Sequence, residues 1–195
     1  MGKFAQRRSF ILLLLGLSTA LSSSTEAAPT ASVHPQLLPL GKAMQLYFDP
    51  RVWFYHAPKF LEDSKVGVFE GQKLSSLHAF LRTDNYVTSK PDLTKFCDSL
   101  ARQPLDMNLK TSTGKVEPLK ISGADACRVT KSDAEQDAVQ YIFVSQKTFK
   151  SRRQPASFLK PRYYTHYLYF YYPKKVKAEA APLIDALVKG VGYRK

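Results

Sequence analysis

The chain has 195 residues, 44% of them hydrophobic, and a formal net charge of +13. That length fits one domain of ordinary size with enough apolar material to bury a real core, and no internal repeat argues for an array. The charge bears on solubility, steering and anionic partners such as polymers, membrane surfaces or nucleic acid, and excludes no fold.

Met1 to Arg8 form a basic segment holding Lys3, Arg7 and Arg8, and Ser9 to Leu17 an uncharged apolar run, the order of a signal peptide. Thr25 and Ala27 supply the small residues that a signal peptidase reads, so residues 1–27 are expected to be removed. A membrane anchor would need about 20 apolar residues, and the serines from Ser22 onward end this run too early. No cysteine follows it to carry a lipid. Arg7-Arg8 also fits the twin-arginine export signal, but Gln6 before the pair and the strongly apolar run favour ordinary unfolded export. The chain is therefore expected in the periplasm or outside the cell. Lys3, Arg7 and Arg8 against Glu26 give the signal +2, so 13 minus 2 leaves +11 on the remainder.

Residues 28–40, with Pro29, Pro35 and Pro39, read as an irregular lead-in to a globular domain at 41–195. Met44 to Phe48 and Val52 to His56, separated by Asp49-Pro50-Arg51, read as a hairpin or a bent strand pair. Val66 to Glu70 and Leu77 to Arg82 alternate as two further strands. Ser89 is the expected cap of a helix in which Leu93, Phe96, Cys97 and Leu100 form one stripe, ending before Pro104. Lys115 to Ile121 and Ala126 to Lys131 read as strands joined by Ser122-Gly123-Ala124-Asp125, with Lys131 to Asp137 a turn before the apolar run Gln140 to Lys147. A basic loop follows at 150–161. Tyr163 to Tyr172 carries seven aromatics in ten residues, on both faces, and should be a central strand. After Pro173-Lys174-Lys175 the residues Leu183, Ile184, Leu187, Val188 and Val191 predict a C-terminal amphipathic helix, with Pro182 in its first turns.

Tyr47-Phe48-Asp49-Pro50-Arg51-Val52-Trp53-Phe54, Ala124-Asp125-Ala126-Cys127-Arg128-Val129-Thr130, and Tyr167-Leu168-Tyr169-Phe170 leading to Val188 resemble the pattern shared by the PsbP and DcrB proteins. The resemblance spans residues 42–191. It implies an α+β fold in which an antiparallel sheet is flanked by helices as an α/β/α sandwich, without a catalytic centre or cofactor. It transfers no site residue.

Cys97 and Cys127 have two readings, a disulfide favoured by an oxidising compartment or two buried thiols. Paired, they would stabilise the fold by about 3–4 kcal/mol. A serine nucleophile motif is absent, and Cys97 sits on an apolar helix stripe where a catalytic thiol is inert. His34, His56, His78 and His166 are scattered without ligand spacing, and Asp133, Glu135 and Asp137 lack the glycine and spacing of a calcium loop. The remaining signal is Lys150, Arg152, Arg153, Lys160 and Arg162 beside Tyr163, Tyr167, Tyr169 and Tyr171, a surface on which cations meet phosphate or sulfate and rings stack on bases or sugars. Three functions follow: an exported non-enzymatic accessory or binding domain of the cell envelope, whose partner is an envelope protein; a binder of anionic polymer; and a hydrolase whose site is dispersed in sequence.

Overall fold

The computed structural model describes residues 34–40, 42–56, 65–84, 86–103, 114–148 and 161–194. The expected signal at 1–27 and all of the basic loop except Pro161 lie outside them. The strands in chain order are β1 (Gln36–Leu40), β2 (Met44–Phe48), β3 (Trp53–His56), β4 (Lys65–Gly71), β5 (His78–Thr83), β6 (Lys115–Ile121), β7 (Ala124–Ser132), β8 (Gln136–Lys147), β9 (Arg162–Pro173) and β10 (Val191–Tyr193). Helix α1 (Leu93–Arg102) precedes β6, and α2 (Lys177–Lys189) follows β9. The class is α+β, mostly antiparallel strand with two helices.

Seven strands form one sheet in the order β3-β4-β5-β9-β8-β7-β6, every described pair antiparallel. The aromatic strand β9 is its middle member, as two apolar faces require. Pro118, which cannot donate to a ladder, falls on the edge strand β6. A second, three-stranded sheet, β1-β2-β10, was not anticipated.

That small sheet corrects two expectations. The stretch read as irregular lead-in contributes β1, tolerated with Pro39 because β1 is an edge with a neighbour on one side only. Of the two readings of 44–56 the hairpin is excluded and the bent pair is a crossing between sheets, since β2 pairs with β1 and β10 while β3 pairs with β4. Asp49 makes the corner: its carbonyl accepts from Val52 and Trp53, and its carboxylate holds the Arg51 guanidinium at 2.7 Å.

Smaller boundaries also move. The cap of α1 is Asp92, whose carboxylate accepts from the Lys95 amide at 3.1 Å, rather than Ser89. Pro91 steers the residue before it toward extended backbone and so delays the helix. The β6–β7 connection tightens to Ser122-Gly123, both at positive φ (49° and 82°), the conformation of a two-residue hairpin turn. Asp133 turns the chain into β8 by accepting from Glu135 and Gln136, so the strand starts at Gln136, four residues early. Pro182 lies inside α2, in its second turn, as expected.

Side-chain alternation divides the large sheet cleanly. One face presents Leu168, Phe170 and Tyr172 of β9 and Val139, Tyr141 and Phe143 of β8, which are buried in the main core with Ile184 and Leu187 of α2 and Met44 and Leu46 of β2. Trp53, Phe69 and Phe48 interlock there edge to face, with centroids 5.2–6.3 Å apart. The opposite face receives α1, whose Cys97 and Ala101 pack on Cys127, Val129 and Ile142. Lys131, almost fully buried, donates its ammonium to the Gln103 carbonyl just past the end of α1, where a cation suits the helix dipole.

Candidate functional site

Cys97 and Cys127 are joined in a disulfide that ties α1 to β7. The two-thiol alternative is therefore set aside, and neither sulfur is a nucleophile.

His166 is the histidine with a candidate nucleophile in reach. Its Nε2 lies 2.7 Å from Ser145 Oγ and its Nδ1 3.0 Å from Thr83 Oγ1. Ser145 and His166 are each 0% exposed, and the imidazole stacks on Phe143 at 4.9 Å. Burial depresses its pKa to about 3, so the ring is held neutral between two hydroxyls. A pair sealed from substrate does no hydrolysis; this cluster satisfies polar groups inside the sheet.

Of the acidic residues weighed as calcium ligands, Asp133 and Asp137 are spent on the fold and Glu135 is exposed. Asp133 caps its turn, and Asp137 is buried, accepting from Ser132 at 2.6 Å and pairing with Lys177 at 3.0 Å. Among the described residues no three His, Cys, Asp or Glu side chains gather to hold a metal.

Lys150, Arg152, Arg153 and Lys160 lie outside the described residues. Tyr163, Tyr167, Tyr169 and Tyr171 alternate along β9 and so share the face that α1 half covers. They do not share one environment. Tyr163 pairs through its backbone with Val87, and the Arg162 guanidinium lies 4.2 Å from the centroid of the Tyr86 ring. Tyr167 lies against Phe96 of α1, receives Arg82 over its ring, and donates to Asp84 at 2.7 Å, an arrangement that raises its pKa, mainly through burial. Tyr169 is buried and pushed up to about 12 by desolvation, and its hydroxyl has no described hydrogen-bond partner.

Beyond Tyr169, toward β3, the face opens progressively, with Phe80 and Tyr171 half-buried and Phe54 and His56 exposed. Cross-strand register sets two rows there: Phe54, Glu70, His78 and Tyr171, and beside it His56, Val68, Phe80 and Tyr169. Strands about 4.8 Å apart make each row roughly 15 Å long. His78 stacks on Tyr171 with centroids 4.8 Å apart and planes 14° from parallel, and Phe80 stacks on Tyr171 at 5.9 Å. Phe54, 54% exposed, leans on His56 at 4.8 Å. At the β3 and β4 end this platform falls into an open pocket of about 380 Å³ lined by Phe54, His56, Glu70, Gly71, Gln72 and Ser75. Sequence reasoning missed Phe54, Glu70 and His78, although alternation against buried Trp53 marked Phe54 as facing away from the core.

No protein-family model matches this chain, and no curated protein matches it. Among solved structures, LpqN, described as involved in cell envelope biogenesis of Mycobacterium tuberculosis, aligns at a TM-score of 0.43 and 10% identity, over 83% of this chain and 91% of that chain. At that score the likeness assigns neither family nor role.

Proposed function

We propose that this chain is an exported, non-enzymatic accessory or binding domain of the cell envelope, and that it engages its partner through the aromatic half of the large sheet that opens toward β3. An arrangement of the PsbP and DcrB kind, a sheet between helices, belongs to the same reading. The observation that carries it is the double row from Phe54 to Tyr171: His78 and Phe80 stack on Tyr171, and at the sheet edge Phe54 is 54% exposed beside His56. Rigid aromatics at a surface supply contact area at little entropic cost. Export is supported by the signal-like start and by the disulfide, which persists in oxidising compartments. Among the described residues no helix is long and apolar enough to cross a membrane.

A photo-crosslinking amino acid at Phe54, in the protein produced in its own host, tests this. It should capture a specific partner, whereas the same group at exposed Ala181 on α2 should not. Equal capture at both positions, or at neither, sinks the reading.

The anionic-polymer reading rests on net charge and on the Arg162–Tyr86 contact. It requires retention on heparin that falls steeply with salt and weakens on changing Arg152 and Arg153 to Ala.

A further inference from the structure

We propose that the pocket at Phe54, His56 and Glu70 binds an organic ammonium ion, with Glu70 as its counter-charge and the neighbouring rings as its walls. The inference rests on the aromatic half-face being a binding surface and names the ligand class it takes.

Glu70 motivates it because, unlike other carboxylates without an ion pair, it lines the pocket. In a chain of net charge +13, this half-buried carboxylate has no ion-pair partner among the described residues. Arg51, next to the Pro50 carbonyl that Gln72 of the pocket wall holds, is directed to Asp49 at 2.7 Å. Lys73, on the turn beside the pocket, acts on Asp49. In register Glu70 stands between Phe54 on β3 and His78 on β5, so aromatic or imidazole rings flank it on both sides. Its charge reaches the stack, adding to burial in raising the Tyr171 pKa.

A carboxylate among ring faces repels anions, which turns this pocket away from phosphate and sulfate. An ammonium ion meets both terms at once, Coulomb attraction to the carboxylate and the negative faces of the rings. A volume of about 380 Å³ suits a small alkylammonium group rather than a polymer. Gln72 is partly committed, its amide donating to the Pro50 carbonyl at 2.6 Å, and this fixes the pocket wall.

The test is an NMR titration of the mature protein with choline and with 3,3-dimethylbutanol, its uncharged isostere. Choline should shift the signals of Phe54, His56 and Glu70, with the isostere roughly fivefold or more weaker, and Glu70→Gln should erase the difference. Phe54→Ala, at an exposed position, should weaken choline without unfolding the chain. Phosphatidylcholine vesicles that sediment with the wild type and not with Glu70→Gln would assign the cation to a lipid headgroup; choline shifts without vesicle binding would assign it to a free ion. Equal binding of choline and isostere overturns the inference while leaving the aromatic docking face intact. Shifts by neither overturn it too, and the crosslinking at Phe54 then judges the docking face separately.

Discussion

The Nε2 of His166 stands 2.7 Å from the Oγ of Ser145 inside the sheet, on the face that α2 and the small sheet cover. Because burial holds the folded pKa near 3 against 6.5 when exposed, the unfolded chain binds a proton that the folded chain refuses between those values. The contribution is fully present above pH 6.5 and is lost as pH falls toward 3. By pH 4.5 the loss should be about 2–3 kcal/mol. Urea midpoints from pH 7.5 to 4.5 will show it, and His166→Gln, less stable at neutral pH, should flatten that slope. An unchanged slope would move the acid sensitivity to other groups.

Reduction of the Cys97–Cys127 bond removes a constraint between residues 30 apart in sequence. The unfolded chain then regains entropy worth about 3–4 kcal/mol. Cys97→Ser with Cys127→Ser should lower the urea midpoint accordingly, with little change in the far-ultraviolet circular dichroism of the native state. A loss below 1 kcal/mol would mean that the reduced unfolded chain keeps α1 and β7 together.

Gly190 and Gly192 bracket the start of β10 and should respond oppositely. A Cβ at Gly190 would meet the Tyr47 carbonyl oxygen at 2.0 Å, where α2 ends against β2, whereas one at Gly192 meets nothing within 4 Å. Gly190→Ala should therefore cost roughly 1–3 kcal/mol through forced displacement of β2. Gly192→Ala should stay within about 0.5 kcal/mol of the wild type. Thermal unfolding of both variants, run side by side, separates the two.

That junction also shows what the sequence could and could not display. Tyr163 to Tyr172 announced a central strand because local composition demands cover on both faces, and the α1 stripe was readable because Leu93, Phe96, Cys97 and Leu100 need only helical spacing. The β1-β2-β10 sheet was hidden, since its three-residue strand after Gly190 gains meaning only by meeting Leu46, 145 residues away in sequence. Asp49-Pro50-Arg51 has the composition of a hairpin turn, and composition does not say that the chain changes sheets there. For the site, the shared face of the β9 tyrosines follows from period-two alternation. The placing of Phe54, Glu70 and His78 beside Tyr171 needs the register of four strands, which no local pattern encodes.

Phe54 and Trp53 offer the sharpest contrast between a residue kept for the fold and one free for binding. Trp53 is 2% exposed and packs edge to face on Phe69, while Phe54 is 54% exposed on an edge strand. Trp53→Ala should cost about 3–5 kcal/mol by opening a cavity in the main core. Phe54→Ala removes a ring with few buried contacts and should change stability by less than about 0.5 kcal/mol. Chemical denaturation of the two variants checks this. A large loss at Phe54 would make the ring part of the sheet's own packing and take away its availability to a partner; a small loss leaves an exposed aromatic whose stability role is negligible, the property that a binding face requires.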